Sequence, residues 1–447
     1  MEYENAIAHA ETSTGGGKGA AVGSPYPATR SWLWSRFRRV TTSGAYVPEI
    51  DGLRFLFVAM VVAYHLNPAV ARNWALNAAP SMPGTMTRIL DTGLWGVRLF
   101  FVLSGYILSL PFASSARGLR APPNIRRYFW RRVTRLEPPY IAALTLSALG
   151  LLVLGQGSVG SMAKDFAVGL IYGHGVILGQ LNPLDCVTWS LEVEVQFYCA
   201  MPVLALAFKI RGTAFRRIFL AVAPLLTCVL TRAFLPRSPR WAFTLPNYLH
   251  FFLVGMLLAE LAASRSDDIG SDSDSGTWDF VALGTWVALV LSWMTSGNDL
   301  LILPLMATFF WAALHGRRAR QLLRLPVISA IGGMCYTIYL IHYPVIAVAG
   351  KIVWRMGRGL GYLGYTTVQF VLITVAVLAA STIFFKLIEQ PCMDPRWPAK
   401  LRGALRGLWL KVRRAPGVGP GFVSQGSTAE SVAIPLPPGG PDHKASA

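Results

Sequence analysis

The sequence predicts an all-α integral membrane protein of about ten transmembrane helices with both termini in the cytoplasm. Three observations carry this. Only 14% of the 447 residues are charged and 53% are hydrophobic, whereas soluble domains carry about 25% charge; most of the surface must face something other than water. The apolar residues gather into runs that reach the ~20 residues a bilayer core requires. Counted as ten spans, these runs leave 30 of the 41 Lys and Arg residues on the side of the chain ends and eight on the other, and Lys and Arg concentrate in cytoplasmic loops.

The runs cover 52–70, 92–112, 137–155, 188–208, 215–235, 246–263, 278–295, 299–315, 327–350 and 364–388. A weaker one at 162–178 contains Gly169, Gly173, His174 and Gly175 and is read as re-entrant or interfacial. As a full span it would place Lys209, Arg211, Arg216 and Arg217 on the outer side, against the charge asymmetry. The first run follows a long polar segment and has no small-residue cleavage pattern after it, so it is expected to be a retained helix and not a signal peptide. Residues 1–47 read as a disordered, basic cytoplasmic segment, 48–392 as the membrane domain, 393–414 as a basic amphipathic segment and 415–447 as a disordered tail rich in Pro, Gly and Ser. The chain ends soon after the tenth run, so no second folded domain is expected.

The formal net charge of +19 does not point to nucleic acid, because the basic residues sit between apolar runs and topology accounts for them. The five cysteines, Cys186, Cys199, Cys228, Cys335 and Cys392, show no metal-ligand spacing. Neither a disulfide framework nor a structural zinc is expected, and no metal is assigned.

Ionisable groups inside a span are costly and usually face the bundle interior or a water-filled cavity, so they are the informative residues. On the first run, Arg54 and His65 are eleven residues apart, three turns plus about 20°, which puts both on one face about 16 Å apart along the axis. Taken singly, Arg54 would pass for a snorkelling side chain and His65 for a satisfied core histidine. The second run carries Arg98 at its outer end, and Ser104 and Gly105 suited to close helix packing. Between the second and third runs, Arg126, Arg127, Arg131, Arg132 and Arg135 crowd the cytoplasmic face. Guanidinium forks suit phosphates, and anionic lipid is the other partner such a cluster serves. The fourth run opens with Trp189, Ser190, Glu192, Glu194 and Gln196, and two glutamates there are hard to explain as packing. The ninth carries Tyr339 and His342, and the tenth closes on Glu389-Gln390-Pro391, read first as a helix-end feature.

Six of these segments, in this order, resemble the acyltransferase-3 family of membrane-bound bacterial O-acyltransferases. The matching stretches are Arg54 with His65, Gly96 to Gly105, Arg131 to Tyr140, Trp189 to Tyr198, Cys335 to Pro344, and Glu389 to Pro391, with Leu136 and Cys335 standing where the family has Ile and Ser. The resemblance runs from about 48 to 392 and implies the standalone form, without an esterase-like C-terminal domain. It implies acyl-coenzyme A, usually acetyl-coenzyme A, as co-substrate, and a hydroxyl of a sugar, glycan or similar acceptor. No bound cofactor is implied. Glu194 is the motif glutamate.

The expected mechanism follows from these residues. Arg131, Arg132, Arg135 and Arg54 hold the phosphates of coenzyme A, whose pantetheine arm runs along the first helix to His65. His65 is catalytic, as general base or acyl carrier, with Glu194 as its carboxylate partner. Glu192, Trp189, Tyr339 and His342 belong to the substrate-binding set, His342 orienting the acceptor. The setting is a bacterial cytoplasmic membrane. The competing reading is a transporter or flippase for a glycan, which would predict inverted repeats and broken helices in both halves; the sequence shows no such symmetry.

Overall fold

The computed structural model describes residues 47–75, 84–235, 238–264, 276–295, 297–394 and 396–414. The expected disordered segments at 1–46 and 415–447, and the acidic stretch 267–274, lie outside them. Among the described residues every regular element is helical.

Helix α1 (Pro48–Ala75) begins with Glu49 and Asp51 in its first turn, where carboxylates complement the helix dipole. After the short α2 (Gly84–Asp91), α3 (Trp95–Ala116) returns antiparallel to α1. Gly93 and Gly96 seat this hairpin, since a Cβ on either would strike α1 backbone at Met60 or Phe57.

Helix α4 (Ile125–Val153) starts a dozen residues before the apolar run that announced it. Its arginine-rich first turns, expected to be a loop, are helical. Asn124 caps them by accepting from the Arg127 N–H at 2.9 Å, and Pro138 and Pro139 lie inside the helix. There the Tyr336 hydroxyl donates to the Leu136 carbonyl at 2.8 Å.

The weak run resolves into α5 (Val159–Leu170), opened by a Ser158/Ser161 capping box, and a π turn at His174–Leu178. At twelve residues, α5 rises about 18 Å, too little to span. Helices α6 (Trp189–Leu204), α7 (Thr213–Phe234), α8 (Leu245–Ala263) and α9 (Gly276–Thr295) follow. Then α10 (Asp299–His315) meets α11 (Arg317–Leu323) at an 83° bend. Asp279 holds the bend by accepting from the Arg318 and Ala319 N–H groups at 3.0 and 2.9 Å.

The ninth run is two helices, not one: α12 (Pro326–Gly333) and α13 (Cys335–Val353). The Gly332-Gly333 pair lets α12 lie directly on the start of α1, where a Cβ on Gly332 would overlap the Asp51 carbonyl. Helix α14 (Tyr362–Phe384) ends in a π turn, Phe385–Glu389. Among the described residues nine helices are long and apolar enough to cross a membrane, ten with the bent α10–α11 pair, which matches the ten runs in order. The segment Trp397–Arg414 is a separate helix, α15, rich in Lys and Arg.

Two features hold the bundle together. Helices α3 and α8 cross with Gly105 and Gly255 in backbone contact: a Cβ on Gly105 would overlap the Phe252 carbonyl, and one on Gly255 the Val102 carbonyl. Such small-residue crossings replace the hydrophobic drive that lipid does not supply. At the C-terminal end of α8, Glu260 is fully buried and accepts from Arg117 at 2.6 Å and Arg216 at 2.8 Å, joining α3, α7 and α8. Large apolar side chains such as Phe234, Phe280 and Leu387 point outward, as lipid contact requires.

Candidate active site

Helices α1, α3, α4, α6 and α13, with the π turn that ends α14, converge on a narrow cavity of about 120 Å³. Helix α1 contributes Arg54, whose guanidinium is ion-paired with Asp51 one turn earlier. Helix α4 contributes Arg132 and Arg135, which the i, i+3 spacing places on one face. Helix α6 contributes Glu194. Arg132 lies 5.3 Å over the Tyr198 ring. The Nε of Arg135 is buried with no hydrogen-bond partner among the described residues. Glu389 from the α14 end also lines the cavity and accepts from the Thr337 N–H at 3.1 Å. With Arg54 already paired to Asp51, Arg132 and Arg135 are the guanidiniums the lining offers to an anionic guest.

Arg131 is not part of this wall. One residue off the Arg132/Arg135 face, it is turned about 100° away, so the four-arginine set expected from sequence contracts to Arg54, Arg132 and Arg135.

The upper wall of the cavity is Tyr339. Its hydroxyl is fixed, 2.6 Å from the Ser190 hydroxyl and donating to the Val187 carbonyl at 2.9 Å. One helical turn beyond Tyr339 stands a histidine pair: His342 Nε2 lies 3.0 Å from His65 Nδ1. The hydrogen bonds fix the tautomers. His342 Nδ1 faces only carbonyl oxygens, Tyr339 at 2.7 Å and Ile338 at 3.1 Å, so it carries the proton and Nε2 is an acceptor. His65 Nδ1 therefore donates, to His342 Nε2 and to the Val61 carbonyl at 3.0 Å. This leaves the lone pair on His65 Nε2. His342 is fully buried and His65 only half-buried. The arrangement is that of a base whose second nitrogen is oriented by a neighbour.

Glu194 is not the partner of His65. Its carboxylate accepts from the Ser104 hydroxyl at 2.7 Å and belongs to the arginine cavity; the partner is His342, 277 positions along the chain. Glu192, expected to bind substrate, is instead fully buried under the π turn and accepts from the Gly175 N–H at 2.8 Å. Two positions before Glu194, it emerges on another helix face. Trp189 packs in an aromatic cluster with Phe101, Phe243 and Tyr248 and does not line the cavity. Sequence reasoning missed Glu389 as a lining residue and the Ser104, Ser190 and Asp51 partners. A buried acid at the end of a membrane helix was the available signal for Glu389.

The loop that clamps Tyr339 is braced by Asp185, which accepts from the Val187 N–H at 3.4 Å. Burial pushes the Asp185 carboxyl up to about 8 from its ordinary 3.8. The folded protein therefore holds a proton that the unfolded chain releases, and stability should fall as pH rises from about 4 to 8. Asp185→Asn should remove that slope, read as thermal midpoint against pH in detergent; an unchanged slope would mean Asp185 is ionised in the fold.

Comparison with known proteins agrees with this geometry. Residues 47–386 match the family model described as an acyltransferase domain, acyltransferase-3. The chain is 26% identical over 387 residues to the protein named membrane-bound transacylase BcsY of Komagataeibacter xylinus, covering 83% of this chain and 89% of that protein. It is 25% identical over 332 residues to O-acetyltransferase OatA of Staphylococcus aureus, covering 68% of this chain and only 51% of the relative. No solved structure matches significantly. The family match spans most of the helical bundle and includes Arg54, Arg132, Arg135, Glu194 and the histidine pair, and the chain belongs to the acyltransferase-3 family of membrane-bound acyltransferases.

Proposed function

We propose that this protein, in a bacterial cytoplasmic membrane with both termini inside, moves an acyl group, most simply acetyl, from cytoplasmic acyl-coenzyme A to a hydroxyl of a cell-envelope carbohydrate or glycolipid. The observation that carries the reading is the stacking of two stations along α1: a cationic cavity at Arg54, and a histidine with a free Nε2 one turn beyond the cavity's upper wall. The Arg54–His65 rise of about 16 Å is comparable to a pantetheine arm.

In this reading Arg54, Arg132 and Arg135 bind the nucleotide phosphates. The acceptor hydroxyl gives its proton to His65 Nε2 as its oxygen bonds to the thioester carbonyl carbon. The C–S bond then breaks, and the departing thiolate takes the proton back. His342 holds the His65 tautomer. Tyr339 must swing aside, or the thioester must pass it, for the two stations to meet.

The test is transfer of label from radiolabelled acetyl-coenzyme A to pooled envelope glycans by purified protein in detergent. Label on glycan supports the reading, and its absence with active, folded protein and a complete acceptor pool sinks it. In the same assay Arg135→Ala should raise KM for acetyl-coenzyme A about 10- to 100-fold, the worth of one charge-assisted hydrogen bond, with kcat much less affected. An unchanged KM would remove Arg135 from the donor site.

A further inference from the structure

Val97 and Arg98 are neighbours on α3, and the 100° between them turns them into different cavities. Val97 walls the arginine cavity. Arg98 faces a second, larger one of about 600 Å³, bounded by α3, α7, α8 and α10. Nothing in the proposed mechanism uses it, yet it is built from groups that a membrane protein places at cost.

Two cations meet one anion there. Arg232 is committed to Asp299, with 2.7 Å between Nη2 and Oδ2. Arg98 is not: its guanidinium lies 4.1 Å over the Trp95 ring and makes no salt bridge or hydrogen bond among the described residues, with Asp299 acting on it only at longer range. Beside it His250 is only 3% exposed. Both its ring nitrogens lack a hydrogen-bond partner among the described residues, and its Nε2 stands 3.8 Å from Asp299 Oδ2. Cys228, His250 and Asp299 bring their ligand atoms within 4.8 Å of one another, which invites a cation. The charge balance opposes one, because Asp299, the only carboxylate among the described lining residues, already pairs with Arg232. An anion is the guest that satisfies Arg98. Trp241, Tyr248 and Asn247 complete the wall, giving flat apolar faces and an amide beside the charge. That mixture suits a hydroxylated ring, and the volume lies within the range of small-molecule pockets.

We propose that this cavity binds an anionic saccharide, with its carboxylate or phosphate on Arg98. As the acceptor station it rests on the acyl-transfer reading; as a binding site it does not. The segment leading into the Arg98 helix packs against the far end of α1, since Gly93, just before Trp95, lies on Met60 and Tyr64, and the Tyr64 ring is 4.9 Å from that of His65.

The experiment is intrinsic tryptophan fluorescence of the purified full-length protein in detergent, titrated with cellobiouronic acid, glucose 1-phosphate, cellobiose and zinc chloride. At least one anionic sugar should bind saturably and ten or more times tighter than cellobiose. Whichever it is identifies carboxylate or phosphate as the anion. Arg98→Gln should erase the preference and Arg98→Lys should keep part of it, with both variants matching wild-type elution and thermal midpoint. Equal binding of cellobiose, a preference that survives Arg98→Gln, saturable zinc binding lost in His250→Ala, or no binding of either anion each overturns the proposal. Anion binding without label transfer from acetyl-coenzyme A would instead sink the acyl-transfer reading and leave this site standing.

Discussion

His65→Ala should cut acyl transfer by about 10²- to 10⁴-fold, the usual contribution of a positioned general base, while the protein elutes and melts as wild type. The side chain is half-buried; among the described residues its hydrogen bonds run to Val61 and His342, and its ring meets those of Tyr64 and Tyr343 at the edge of the bundle's core. On the proposed reading the loss should appear in kcat, because that reading gives the donor's phosphates to the arginines and not to the imidazole. His342→Ala should cost less in rate but should shift the pH profile of kcat, because it leaves His65 in place with the Val61 carbonyl as the one remaining described acceptor for its Nδ1 proton. The measurement is label transfer from acetyl-coenzyme A to glycan across pH for both variants. Full activity in His65→Ala would remove it from the chemistry.

Gly255→Leu should abolish the folded protein altogether. Its missing Cβ is the reason α3 and α8 can touch, and the atoms it would meet, the Val102 carbonyl and the Tyr106 amide, are backbone. A flexible side chain in that place would move aside at little cost; two helix backbones do not, and overpacking even in forgiving cores costs about 1–3 kcal/mol or more. The same crossing carries Ser104, whose hydroxyl positions Glu194, so a forced separation also dismantles the cavity. Fluorescence-detected size-exclusion after mild solubilisation is the check. A monodisperse, wild-type-like peak would show that α3 and α8 do not pack through Gly105 and Gly255.

The ten runs announced ten helices because hydrophobic length is a local property that lipid enforces. What failed locally was the start of α4, where arginines lower the hydropathy of residues that are helical all the same. The break at Gly333 failed for a different reason: it answers to α1 packing on Gly332, a contact no window along the chain contains. The site divides the same way. Arg54 and His65 were legible because one helix carries both. The contraction of the arginine set was not, because which of Arg131, Arg132 and Arg135 faces inward depends on how α4 is rotated in the bundle. Glu192 and Glu194 are equally improbable in a membrane helix, and only the π turn against one and Ser104 against the other separate their roles. The His65–His342 pair joins helices from opposite ends of the chain, beyond any spacing rule.

The spacing of the two stations along α1 also determines what the membrane potential can do to the reaction. On the acyl-transfer route proposed above, the guanidiniums would keep the charged end of the donor at one depth, and the group that travels on to the histidines would be uncharged. Over a full turnover an acylium equivalent goes outward while the acceptor's proton leaves inward on the thiol, an electroneutral exchange. Moving one elementary charge through 100 mV is worth ~2.3 kcal/mol, and this route moves none. A cell that loses its proton-motive force would thus keep decorating its envelope for as long as its donor pool lasts.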